Sequence, residues 1–212
     1  MRYFGTSLEL GLARHDVLDV GCGVGTLALY LGQFAKSVKG VDVASRAIKI
    51  ATKAARSLRA SNVTFVEGEL AAVKGKFELI MCTEVIEHVA DDAAFAKQLA
   101  SRLKEGGLLF LTTPSMENWL YKLGYYRGFD AEVGHFRRYT PMTIRQRLEQ
   151  AGLTVLKVEP VEGPLRSIMF STKLGYLIYG IKGPLIPLFH WFDSICARVF
   201  GASDLQVIAR KP

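Results

Sequence analysis

Short apolar blocks alternate along the chain with longer stretches in which apolar residues return every three or four positions. Val17, Leu18 and Val20 form the first block, as expected of a parallel strand buried on both faces, and the amphipathic stretches suit crossover helices. This pattern predicts strands over 16–20, 38–42, 62–67, 77–82, 107–112, 153–160 and 204–210. Helices are predicted over 26–36, 44–60, 91–104 and 140–151, with a tight turn at Glu105-Gly106-Gly107 before the fifth strand. The succession is α/β: a Rossmann-like doubly wound sheet of about seven strands, mostly parallel with the last antiparallel, and helices on both faces. Right-handed crossovers then align the strand C-termini, so that Asp19, Asp42, Glu69 and Glu84 share one edge.

The first strand runs into a glycine-dense turn, Val-Leu-Asp-Val-Gly-Cys-Gly-Val-Gly over 17–25. Glycines there let the backbone turn tightly and leave no Cβ between the main chain and a ligand. A dinucleotide site wants Gly-x-Gly-x-x-Gly, but Thr26 stands where the third glycine belongs, and Asp19 would repel a pyrophosphate. A carboxylate at that position suits a ligand carrying an ammonium group. Asp42 ends the next apolar block, where an acidic residue pairs with ribose hydroxyls. Ammonium plus ribose describes S-adenosylmethionine.

Through VLDVGCGVGTLALYL (17–31), VKGVDVA (38–44), NVTFVEGEL (62–70) and FELIMCTEVIEHV (77–89), the chain resembles the class I S-adenosylmethionine-dependent methyltransferases. Within that class it is similar to the ubiquinone-biosynthesis O-methyltransferase and methyltransferase type 11 group. The resemblance implies that Asp19 and Gly21 lie near the methionine part of the cofactor, with Cys22, Gly23 and Gly25 in the same turn. It also implies that Asp42 holds the ribose, that Val43 packs on the adenine, and that Glu69 stands where the family often has an aspartate near the adenine amino group. Leu70 and Thr83 complete the implied cofactor set.

The fourth strand ends in Thr83-Glu84-Val85-Ile86-Glu87-His88. On a helical turn Glu84, Glu87 and His88 would share a face, since spacings of three and four return to the same side. Two carboxylates and a neutral imidazole suit a hard to borderline divalent ion such as Mg2+ or Mn2+, and His135 is the candidate fourth ligand. The Glu-x-x-Glu-His plus distant His pattern is similar to that of the ubiquinone-pathway O-methyltransferases and of the plant-type small-RNA 2'-O-methyltransferases. In those families the matching positions bind a divalent cation that holds the acceptor hydroxyl, which implies Glu84, Glu87, His88 and His135 as ligands here. A metal-free alternative makes His88 a general base and Glu84 a helix cap. On either reading His88, His135 and Glu84 are the candidate catalytic residues.

Two further segments bear on the acceptor. A long loop over 113–139 carries Trp119, Tyr121, Tyr125, Tyr126 and Phe129, as in a lid over an apolar or aromatic acceptor, with some of these rings on a short helix over 116–123. Arg137, Arg138 and Tyr139 suit a phosphate, a carboxylate or a stacked ring, or else form a solvated turn before Thr140 as N-cap and Pro141 at the first helical position. The second segment, over 164–200, is a greasy insertion before the last strand. Its only acid is Asp193, against Arg166, Lys173, Lys182 and Arg198, and glycines and prolines interrupt it. It is expected either to contact an anionic lipid surface or to form a helical hairpin over the sheet or against a second subunit.

Composition fits this picture. The 212 residues are half hydrophobic, enough for one domain over 1–212 with a full core. Three scattered cysteines argue against a disulfide frame and for a reducing compartment. Met1 to Leu12 lacks the long apolar core of a signal peptide, and Arg2 to Leu12 is expected to be what remains of an N-terminal substrate lid. The expected location is cytoplasmic, with peripheral contact at the inner membrane face. The charge of +7 raises an RNA acceptor as an alternative, although the basic residues are scattered. The leading expectation is O-methylation of a hydrophobic small molecule, a prenylated phenol or quinol or a lipid. The alternatives are RNA 2'-O-methylation, metal-free C-methylation and a noncatalytic cofactor-binding subunit; the oligomeric state is open.

Overall fold

A computed structural model describes residues 12–163 and 185–212, so the expectations for residues 2–11 and 164–184 lie outside the described residues. The elements are β1 (Asp16–Val20), α1 (Thr26–Leu31), β2 (Ser37–Asp42), α2 (Ser45–Ser57), β3 (Val63–Glu67), β4 (Phe77–Thr83), α3 (Asp92–Arg102) and β5 (Leu103–Pro114). They continue with α4 (Trp119–Lys122), α5 (Arg127–Val133), α6 (Pro141–Gln150), β6 (Thr154–Val161), α7 (Leu185–Phe200) and β7 (Asp204–Arg210). One seven-stranded sheet has the order β3-β2-β1-β4-β5-β7-β6. β1 pairs in parallel with both β2 and β4, and β7 runs antiparallel between β5 and β6. The strand order therefore reverses at β1, the switch point where an open α/β sheet leaves a crevice for a ligand.

The two faces of β1 show why its apolar block is continuous. Val17 joins Leu79 and Met81 under Ala28 and Leu31 of α1, while Leu18 and Val20 join Ile80 and Cys82 under Phe95 and Leu99 of α3 and Ile144 and Leu148 of α6. Successive residues point to opposite faces, and both faces are covered by helices.

Helix boundaries depart from the expected ones for local reasons. α1 stops at Leu31 rather than at 36, where the last turn tightens: Gln33 N–H donates to Tyr30 O at 3.2 Å and Phe34 N–H to Leu31 O at 3.0 Å. The expected turn at 105–107 is a bulge inside β5. Phe77 pairs with Leu103 and Leu79 with Leu108, so the excess residues loop out around Gly106 at φ +77°. β5 thus begins directly at Leu103, where α3 ends.

The 113–139 excursion is closed at its base. Tyr139 N–H donates to Pro114 O at 3.1 Å and Met116 N–H to Tyr139 O at 2.8 Å, so the segment leaves and rejoins the sheet at one point. It carries two short helices, α4 and α5, rather than the single helix expected over 116–123. α6 starts as expected, with Thr140 and Thr143 forming a reciprocal cap and Pro141 in the first turn.

α7 is tied to the sheet through Asp193, whose Oδ2 accepts the Gly163 N–H at 2.7 Å. Its Trp191, Phe192, Val199 and Phe200 remain exposed, and Phe200 meets Trp119 of α4 with ring centroids 5.7 Å apart.

Candidate active site

The glycine turn is built against β2. The Gly21 and Cys22 N–H groups donate to Val41 O at 2.8 and 3.1 Å, and Asp42 accepts the Gly23 N–H at 2.8 Å on one oxygen and the Ala44 N–H at 2.8 Å on the other. Gly21 sits at φ +70°, and a Cβ there would run into the Val85 side chain. The turn opens on a cavity of about 630 Å³, lined on one side by Gly21, Asp42, Val43, Glu69 and Leu70 and on the other by Glu84, Val85, His88 and Phe136. That volume accommodates a nucleoside cofactor with part of an acceptor.

The remaining expected cofactor residues, Asp19, Cys22, Gly23, Gly25 and Thr83, are not among those lining the cavity. Asp19 is buried, and burial lifts its carboxyl to about 7 against the pull of the Ala28 N–H; one of its oxygens has no partner among the described residues. Cys22 is likewise buried, and its thiol is pushed up to about 12, which leaves it unreactive at neutral pH.

Beyond β4 the expected helical face does not form. Glu84 takes a left-handed backbone conformation at φ +54°, and the turn that follows is a single 3-10 turn over Ile86–His88. The phase break sends Glu84 toward β5, where it accepts from the Thr112 hydroxyl at 2.7 Å. Glu87 points inward and is fully buried. Its Oε2 accepts from the Thr113 hydroxyl at 3.1 Å; Oε1 receives no ordinary donor among the described residues, and the Glu84 carboxyl lies within hydrogen-bonding reach of the Glu87 carboxyl. Burial and the charge of Glu84 push the Glu87 carboxyl well above the ordinary range.

His135 reaches this place from the far end of the excursion, because the next residue, Phe136, donates its N–H to Glu87 O at 2.8 Å. The His88 and His135 rings meet edge to face at 4.7 Å. One ligand atom from each of Glu87, His88 and His135 lies within 4.8 Å of the others, and Glu84 is outside that group. Burial, opposed by Asp130, lowers the His135 pKa and favours the neutral ring at pH 7.

Sequence reasoning missed the acidic residues behind this cluster. Asp130 Oδ1 of α5 lies 2.9 Å from His135 Nδ1, and Asp130 is gripped by Arg138, Nη2 to Oδ1 at 2.6 Å and Nε to Oδ2 at 2.9 Å. Gly134, left-handed at φ +79°, is the helix stop signal that could have placed α5 and its acid. Asp204 opens β7 opposite Pro114 and Val161, and burial together with Glu84 and Glu162 raises its carboxyl above the ordinary range. Nothing in their spacing links Glu162 and Asp204 to Glu84. The paired arginines face protein carboxylates: Arg137 bonds Asp92 at 3.0 Å, while Arg138 lies over the Tyr121 and Tyr126 rings at 5.1 and 4.8 Å.

A switch-point crevice with a glycine turn, an acid ending β2 and an antiparallel β7 defines a Rossmann-like protein with room for a nucleoside cofactor. Comparison with known proteins makes the class specific. A sequence model of the family described as Methyltransferase domain matches residues 4–158. The ubiquinone biosynthesis O-methyltransferase of Xanthomonas euvesicatoria is 32% identical over 201 residues, covering 86% of this chain and 81% of that protein. Its counterpart in Xanthomonas oryzae is 38% identical over 195 residues, covering 83% and 80%. Among solved structures, an S-adenosylmethionine dependent methyltransferase from Mesorhizobium loti superposes with a TM-score of 0.68 at 18% identity, covering 96% and 93%. The chain belongs to the methyltransferase-domain family and is an S-adenosylmethionine-dependent methyltransferase.

Proposed function

We propose that this enzyme transfers the methyl group of S-adenosylmethionine to a hydroxyl oxygen of a hydrophobic small molecule, a prenylated phenol or quinol or a lipid-like acceptor. The observation that carries the proposal is the convergence of Glu87, His88 and His135 within 4.8 Å beside the cofactor cavity. The names of the ubiquinone biosynthesis relatives support the same chemistry. In the reaction an oxygen lone pair forms a bond to the methyl carbon, the bond from that carbon to sulfur breaks to leave a neutral thioether, and the hydroxyl proton passes to a base. Gly21, Asp42, Val43 and Glu69 are assigned to the donor, with Asp19 behind the turn balancing its ammonium group. Val85 and Phe136 give the acceptor end of the cavity an apolar wall, and the His88 and His135 imidazoles are placed to take the proton.

The donor set fits a divalent cation. Among the described residues Glu87 Oε1 is a buried carboxyl oxygen that receives no ordinary hydrogen-bond donor, and one carboxylate with two imidazoles is a set that Mg2+, Mn2+ or a similar ion accepts. Glu87, His88 and His135 would hold it, with Glu84 adjacent. When bound, such an ion lowers the pKa of a ligated hydroxyl and neutralises the oxyanion. Purified enzyme treated with excess chelator is expected to lose at least ~90% of its activity, in line with the several kcal/mol that a metal ion supplies, and to regain it with Mg2+ or Mn2+. Full activity in chelator assigns the proton transfer to the two histidines alone, a reading that the neutral His135 ring favours.

The exposed Trp191, Phe192 and Val199 of α7 support docking at a lipid surface from which such an acceptor could be drawn. Among the described residues no helix is long and apolar enough to cross a membrane. An RNA acceptor is less well supported, since Arg137 and Arg138 are already paired with Asp92 and Asp130.

A further inference from the structure

We infer that Asp130 is a positioning residue for methyl transfer: it fixes the tautomer and the orientation of His135 and so decides which ring nitrogen is presented to Glu87 and His88. The inference rests on the reading of His135 as part of the reacting site. Asp130 Oδ1 lies 2.9 Å from His135 Nδ1, and an ionised carboxylate can only accept, so Nδ1 carries the proton and Nε2 keeps its lone pair. The same two residues are joined through the main chain, where His135 N–H donates to Asp130 O at 2.8 Å. The ring is thus held by its own backbone and by its side chain from a single residue.

Arg138 ensures that Asp130 can only accept. Its guanidinium contacts both carboxylate oxygens, at 2.6 and 2.9 Å, and the ion pair is shielded by Tyr121 and Tyr126 stacked on the arginine. The three side chains are nearly enclosed, at 16% exposure for Asp130, 9% for His135 and 6% for Arg138. Water therefore offers little alternative partner for Nδ1. Because Asp130 lies on α5 and His135 beyond Gly134, the dyad also fastens the aromatic excursion to the reacting site. A partner of this kind, one bond behind a ligand or base, commonly changes activity or metal affinity by about 10–100-fold when removed.

Nitrogen-15 NMR of the histidines in the unmodified, metal-free protein at pH 8 is expected to show His135 as the Nδ1–H tautomer; the Nε2–H tautomer would overturn the inference. Asp130→Asn is expected to lower kcat about 10–100-fold, with the affinity for S-adenosylmethionine and the acceptor KM changed little, and to mix the two tautomers, because an amide can donate to Nδ1 as well as accept from it. Since that variant leaves Arg138 buried and unpaired, the double variant Asp130→Asn/Arg138→Gln provides the control for folding. It is expected to recover part of any lost thermal stability while remaining slow. Recovery of both stability and rate in the double variant would reduce Asp130 to a structural role. His135→Ala separates the two claims. If it is inactive while Asp130→Asn is fully active, the positioning role falls and the site stands; if both are fully active, His135 is not part of the reacting site.

Discussion

Glu87→Gln is expected to remove most methyl transfer while making the metal-free protein more stable. The activity loss follows from the position of the group: Glu87 is the buried carboxylate that clusters with His88 and His135 among the described residues, and Gln can neither balance a cation nor take up a proton. A drop of about 10²–10⁴-fold in kcat is the scale for losing such a group. The stability gain follows from linkage. Burial and Glu84 raise the folded-state pKa of Glu87 above its unfolded value, so stability is fully present below the ordinary carboxylate range and declines as pH rises toward the folded pKa. Gln remains neutral throughout and escapes that decline. The variant should therefore gain little at pH 5 and about 1–3 kcal/mol at pH 8, the scale for replacing a buried, uncompensated charge. Thermal melts at the two pH values check the sign. A variant that is less stable at pH 8 would mean that the wild-type carboxylate is well paired and that Oε1 is not an open ligand position.

Gly21→Ala is expected to weaken S-adenosylmethionine binding by at least tenfold. Two effects act together at this position. The φ of +70° is unfavourable for a residue with a Cβ, and the added methyl enters the space of the Val85 side chain on the opposite wall of the cavity. Backbone strain of about 1–2 kcal/mol and overpacking of about 1–3 kcal/mol are relieved only by moving the turn that lines the cavity, and 1.4 kcal/mol is already a factor of ten. Gly75→Ala supplies the comparison: its φ of +98° is equally unfavourable, but nothing lies within 4 Å of its Cβ. Calorimetric titration with S-adenosylhomocysteine should separate the two, with Gly75→Ala binding as the wild type does. Equal affinities for all three proteins would show that the turn does not shape the cofactor site.

All seven strands and their order along the chain were legible in the sequence, because a strand covered on both faces has to be apolar at successive positions, as Val17 and Leu18 illustrate. The glycine turn was legible for a related reason: positive φ at successive glycines, and an acid ending β2 that accepts the N–H groups of the turn, are backbone demands that few other residues meet. Element ends were less legible. α1 ends at Leu31 in tightened turns through Gln33 and Phe34 that no residue there announces, and the 105–107 loop becomes a bulge because of its pairing with β4. At the site, the spacing of Glu84, Glu87 and His88 suggested one helical face, but the positive φ at Glu84 broke the phase and left Glu87 with the two histidines. Asp130, Glu162 and Asp204 reach the site only through tertiary closure of the 113–139 excursion and of the β6–β7 end of the sheet.

Incubation of the enzyme and S-adenosylmethionine, with Mg2+ present, with a prenylated catechol and with its fully O-methylated analogue, followed by mass spectrometry of the acceptor, tests oxygen methylation most directly. A single added methyl group on an oxygen of the catechol is expected, with no reaction of the analogue, which has no free hydroxyl. Methyl incorporation on carbon, or equal methylation of the blocked analogue, would contradict oxygen methylation.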